Sequence, residues 1–127
     1  MIEKVFTVKG VPKPQASYSM YTRSGDFLFI AGQVPVETDT GQIPSSFADQ
    51  LRLVLDHIRN ILESTGSSMD EVLKMTVFLK DRAYRTEYDE IFRAYFKKGF
   101  PARSTVVASL MKEEFLVEIE AIASVSP

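Results

Sequence analysis

The chain has 127 residues, 45% hydrophobic and 25% charged, with fifteen basic against seventeen acidic side chains and a net charge of −2. That is one domain, residues 1–127, large enough to bury about two thirds of its unfolded surface. It holds no Cys and a single His, which excludes disulfides, thiol nucleophiles and thiolate metal sites, and the near-balanced charge argues against a phosphate-binding surface as the main function.

Residues 2–8 alternate weakly through Ile2, Val5, Phe6 and Val8 and read as a first strand. Gly10 to Pro14 is a loop. Tyr18 to Arg23 and Phe27 to Ala31 are expected as two strands joined over Ser24-Gly25-Asp26. A long loop follows from Gly32 to Pro44. The clearest element is a helix of about 18 residues, with Ser46 and Asp49 at its start and Gly66 at its stop. Phe47, Leu51, Val54, Leu55, Ile58, Ile61 and Leu62 recur along it at helical spacing. Ser68 and Glu71 repeat the capping pattern over a short turn, and Val72 to Lys80 is a strand. Ala83 to Lys97 is expected as a second helix, ended by Gly99-Phe100-Pro101. Ser104 to Leu110 and Phe115 to Val125 complete the order βββαβαββ. Strands both in hairpins and between helices predict an α+β fold with a mixed six-stranded sheet and two helices on one face.

Phe27 to Ala31 is apolar at every position, and Val72 to Leu79 and Val106 to Ala108 nearly so. Such runs are expected to be buried on both sides. Two helices cover one face, so the other requires a second copy of the chain or the loop at 32–45. The longest strongly apolar run is five residues, far short of the roughly 20 needed for a spanning helix, and Met1-Ile2-Glu3-Lys4 carries no signal-like apolar region. The cytoplasm is the default expectation.

The six glycines form neither a dinucleotide fingerprint nor a P-loop, and there is no Gly-x-Ser-x-Gly elbow. His57 lies mid-helix beside apolar positions, where packing is the simpler role. Arg103 enters an apolar strand from Phe100-Pro101-Ala102; its planar fork suits a carboxylate, belonging either to a ligand or to a structural ion pair. Glu118 and Glu120 share one strand face about 7 Å apart, flanked there by Leu116 and Ile122. They are either solvated charges or carboxylates whose partial burial suits proton transfer. Tyr18 at a loop-to-strand boundary either packs or meets a ligand.

Gly32-Gln33-Val34-Pro35, Phe100-Pro101-Ala102-Arg103-Ser104 and Val117-Glu118-Ile119-Glu120-Ala121-Ile122-Ala123 occur in that order, around a helix–strand–helix. From about Tyr18 to Val125 the chain resembles the RidA/YjgF family of reactive enamine/imine deaminases, formerly called L-PSP endoribonucleases. The resemblance implies a chorismate-mutase-like fold and a homotrimer around a β-barrel core, with sites between subunits. It implies hydrolysis of small 2-imino acids to 2-oxo acids and ammonia, with no metal or organic cofactor and no nucleic-acid or membrane partner. Carried over by position, Arg103 clamps the substrate carboxylate and Glu118 activates water, while Tyr18, Gly32 and Thr105 contact the ligand. Three positions differ from the family pattern: Ala31 stands for a common serine, Asp89 for an asparagine and Thr105 for a frequent cysteine. Ala16-Ser17 also replaces the usual Gly-Pro before the tyrosine. These differences motivate two alternatives: a trimeric carboxylate-binding protein with weak turnover, and a pathway-specific enamine deaminase. RNA cleavage, suggested by the older family name, fits poorly with the −2 charge and lone histidine.

Overall fold

A computed structural model describes residues 1–126. The order is β1 (Ile2–Val5), β2 (Tyr21–Ser24), β3 (Phe27–Gln33), α1 (Phe47–Ser64), β4 (Val72–Leu79), α2 (Arg85–Arg93), β5 (Ala102–Val107) and β6 (Val117–Ser124). The expected βββαβαββ order and mixed sheet are both present. The six strands lie in the order β1-β2-β3-β6-β4-β5, antiparallel except for the parallel pair β4 and β5.

α1 forms where its apolar spacing demands. Ser46 Oγ accepts the Asp49 backbone N–H at 3.2 Å, and Gly66 takes the positive φ of 85° that ends the helix. Its apolar stripe, from Phe47 to Leu62, is buried. Against it lie the alternate residues Leu28 and Ile30 of β3, Met75, Val77 and Leu79 of β4, and Val117, Ile119, Ala121 and Ala123 of β6.

Several boundaries differ from expectation. The second strand starts at Tyr21 and not Tyr18, and the first ends at Val5. The third continues through Gly32 to Gln33, where a loop was expected, because a bulge places Ala31 and Gly32 together opposite Glu120. Gln33 Nε2 braces that bulge on the Ala31 carbonyl at 3.0 Å. Ser68 makes no side-chain cap; a single 3₁₀ turn, Met69–Glu71, stands there, and the Glu71 carboxylate instead accepts the Ser124 hydroxyl. The second helix is shorter than Ala83–Lys97. It begins after a 3₁₀ turn, Arg82–Tyr84, capped by Asp81, and ends at Arg93. Tertiary contacts stop it: Phe96 packs on Phe92 at 4.6 Å between centroids, and Tyr95 donates to Asp56 Oδ1. The fifth strand is displaced, starting at Ala102 before the expected Ser104 and ending at Val107, and the sixth is shorter than expected, spanning Val117–Ser124.

Within one chain, burial on both strand faces is not observed. Phe27 and Phe29 are 48% and 45% exposed, and Leu73 and Val106 are similarly open. The loop after β3 does not cover them, because it is tied to the helix side. Buried His57 donates Nε2–H to the Val36 carbonyl at 2.8 Å, so the histidine packs and anchors a loop. No helix among the described residues is long and apolar enough to cross a membrane.

Burial pushes the His57 imidazole below its ordinary 6.5, opposed in part by the Val36 bond. The folded state then prefers neutral His57. Its contribution to stability is complete above pH 6.5 and is lost as pH falls from 6.5 through the lower folded value. Urea unfolding at fixed protein concentration should show stability declining between pH 6.5 and 5.5, and His57→Gln should flatten that interval.

Candidate functional site

The candidate residues form two groups. The first is at the sheet edge. Arg103 lies in register with core residue Met75, and Thr105 with core residue Val77, so both side chains take the helix side of the sheet. The Arg103 guanidinium stands over the rings of Tyr88 and Phe92, at 4.7 and 5.0 Å from their centroids. Cation–π contact of this kind is worth about 0.5–2 kcal/mol and uses no N–H donor. Arg103 Nη1 also donates to Asp89 Oδ1 at 3.2 Å, and Arg93 Nη2 donates to Asp89 Oδ2 at 3.1 Å. The hydrogen bond from Arg103, followed by that from Arg93, holds the Asp89 carboxyl below its ordinary range. Asp89, Phe92, Arg93, Phe100, Pro101 and Arg103 line an open cavity of about 320 Å³. The sequence left open which anion Arg103 finds; within the chain it is Asp89.

Tyr88 was legible only as one aromatic of a helix face. It is fully buried, and its hydroxyl makes no hydrogen bond of good geometry among the described residues, although Thr105 and Arg103 lie near enough to act on it. Burial pushes that phenol up to about 12, partly opposed by the nearby Arg103 charge. Arg93 was also missed; its only signal was its place four residues after Asp89.

The second group gathers around Glu118. Tyr18, Ala31, Gly32 and Glu118 line a larger cleft of about 1030 Å³, together with the Val11–Ala16 loop, Met111 and Lys112. Glu118 lies in register with Phe78, away from the helices. A Cβ at Gly32 would overlap Glu118 Oε2, so the bulge glycine makes room for the carboxylate. Burial raises the Glu118 pKa, and the Glu120 charge raises it further.

Arg103 and Glu118 are therefore not brought together within one chain. They sit on opposite faces of the sheet, with β4 between their strands, and line different cavities.

Comparisons with known proteins place this geometry. The family profile described as Endoribonuclease L-PSP matches residues 9–125. A RutC family protein of Pyrococcus horikoshii is 44% identical over 124 residues, covering 97% of this chain and 98% of the relative. An Escherichia coli protein named "Putative reactive intermediate deaminase TdcF" is 31% identical over 125 residues, covering 96% of this chain and 97% of its own. A crystal structure of TdcF with bound serine superposes with a TM-score of 0.89 over 98% of this chain and 100% of that one, at 31% identity. The E. coli YjgF structure gives a TM-score of 0.89 at 31% identity, over 96% and 98% of the two chains.

A glutamate with a raised folded pKa favours folding below its unfolded value of about 4.5, and that contribution is lost as pH rises through the folded value. Glu118→Gln is therefore expected to be more stable than wild type at pH 7, with the difference shrinking as pH falls through the folded value towards 4.5 and absent below it. Urea midpoints at one protein concentration read this directly; equal midpoints at pH 7 would contradict the burial of a charged Glu118.

Proposed function

Because the chain belongs to the Endoribonuclease L-PSP family, that of YjgF and TdcF, we propose that it is a hydrolytic deaminase of small 2-imino acids. The observation that carries this reading is the state of Arg103: its plane is fixed by two aromatic faces while most of its N–H donors stay free at an open cavity. Such a fork holds a carboxylate bidentately and orients the carbon beside it. The TdcF structure was determined with bound serine, whose carboxylate is the group this fork suits. Glu118 supplies the second function. Its raised pKa suits a base that takes a proton from water and returns one to the departing nitrogen. Water adds to C2, the C2–N bond breaks, and 2-imino acid plus water gives 2-oxo acid plus ammonia. No covalent intermediate is needed.

The complete site requires two copies of the chain. Arg103 of one subunit faces Glu118, Tyr18 and Gly32 of the next, within a homotrimer whose open sheet faces meet. Support comes from the placement of Arg103 and Glu118 on opposite faces and from the exposed Phe27, Phe29 and Val106, which ask for cover. Thr105 neighbours Arg103 along β5 on the same face. Where relatives carry a serine hydroxyl, Ala31 leaves the bulge apolar. RNA cleavage is disfavoured because the one imidazole is buried and committed to Val36.

A second reading, a carboxylate-binding protein with little turnover, is favoured by one contact: the Asp89 carboxylate already sits on Arg103. Turnover decides between them. Imino acids made in situ by an amino-acid oxidase should release ammonia faster than in buffer, and Arg103→Ala should lower that acceleration by about 100-fold or more without changing the oligomer by sedimentation. No acceleration by wild type sinks the deaminase. Refolding inactive Arg103→Ala together with inactive Glu118→Gln should restore activity in mixed trimers. Failure of that mixture to recover activity would put both residues in one subunit's site.

A further inference from the structure

Arg103 and Asp89 stand side by side at one cavity, a guanidinium and a carboxylate 3.2 Å apart with their free edges open. We propose that Asp89 makes this half-site a receptor for zwitterions. Arg103 takes the ligand carboxylate and Asp89 takes a protonated nitrogen on the adjacent carbon, so that 2-iminium acids are selected over the 2-oxo acids they yield. This rests on the carboxylate-clamp role given to Arg103 above.

The pairing of charges carries the proposal. A ligand with only a carboxylate meets attraction from Arg103 and repulsion from Asp89. A ligand bearing a carboxylate and a cationic nitrogen on one carbon presents the reverse pattern of the protein pair, and both charges are matched. The donors and acceptors suffice. Asp89 Oδ1 and Oδ2 each accept one hydrogen bond, from Arg103 and Arg93, and a carboxylate oxygen accepts more than one. Asp89 is 40% exposed, so its remaining lone pairs are accessible. Arg103 spends one of five N–H donors on Asp89. Arg93 draws on Asp89 from the other side and keeps it ionised when a ligand claims Arg103. The apolar walls, Phe92, Phe100 and Pro101, flank the charged pair and thin the water on that side of it.

The selection follows the reaction. The protonated 2-imino acid plus water gives the 2-oxo acid plus ammonium, with oxygen bonded to C2 and the C2–N bond broken. The product keeps the carboxylate and loses the cation, so Asp89 turns from partner to repellent. An asparagine at position 89 accepts a hydrogen bond and carries no charge, and it does not distinguish the two states in this way.

The test is calorimetric titration of the assembled protein at pH 7 with L-alanine, a stable zwitterion, and with pyruvate. Wild type should bind alanine at least tenfold more tightly, about the worth of one charged hydrogen bond. Asp89→Asn should tighten pyruvate about tenfold and level or reverse the preference. Equal wild-type affinities, equal tightening of both ligands by Asp89→Asn, or binding of neither ligand overturns the proposal. Imine turnover measured on the same samples separates the two claims. Turnover without discrimination removes zwitterion selection and leaves the deaminase. Discrimination that depends on Asp89, without turnover, keeps the receptor and removes the deaminase.

Discussion

The period of two along a β-strand governs this molecule. Core residues Met75 and Val77 fix the helix-facing rows of the sheet, and the register of β5 on β4 then assigns Arg103 and Thr105 to that side. The same period in β6 buries Val117, Ile119 and Ala121 and sends Glu118 and Glu120 the other way. No rotamer change reverses such an assignment, since slipping one residue would expose the core. The two charged groups best suited to chemistry are thus held apart by the packing that makes the fold stable. Under the proposed function that separation calls for a cleft shared between copies, for which the exposed Phe27 and Phe29 of β3 offer an apolar contact surface.

The local chemistry costs stability at several points. Glu118 carries its charge half-buried next to Glu120, against a bulge whose glycine leaves no room for a Cβ. Tyr88 buries beneath Arg103 a hydroxyl that makes no hydrogen bond of good geometry, its polar neighbours Thr105 and Arg103 compensating it only in part. The core offsets these terms: the α1 stripe packs on three strands, β3, β4 and β6, whose inward residues are almost wholly buried. Local rules are broken where the candidate site residues stand and obeyed in the helix and the central strands.

What the sequence reveals divides along the same line. α1 was legible to its caps, because Ser46, the apolar stripe and Gly66 are all local signals. The element order and the pairing of Glu118 with Glu120 on one face were also legible, being questions of period. The end of α2 was not, because Phe96 on Phe92 and Tyr95 on Asp56 are contacts between segments that spacing does not encode. The β3 bulge was missed for a similar reason: Gly32 looked like the start of a loop, and only its pairing with β6 keeps it in the sheet. For the site, Arg103 and Glu118 stood out as charges within apolar strands. Their separation onto two faces required the register of β4 against both neighbours.

Asp89 stands where the family pattern carries an asparagine, and its charge changes what the cavity beside Arg103 can recognise. Arg93 and Asp89 are a helical i,i+4 pair, which by itself contributes only about 0.3–0.5 kcal/mol. Its value lies in geometry, since it sets the carboxylate where Arg103 arrives from another element. The guanidinium is anchored through its face on Tyr88 and Phe92 and through one edge on Asp89, so its remaining donors point in a defined direction. An arginine alone would recognise any small carboxylate, including every 2-oxo acid the proposed reaction would release. An arginine tied to an aspartate favours a carboxylate that brings its own cation, and in the proposed reaction substrate and product differ in that cation.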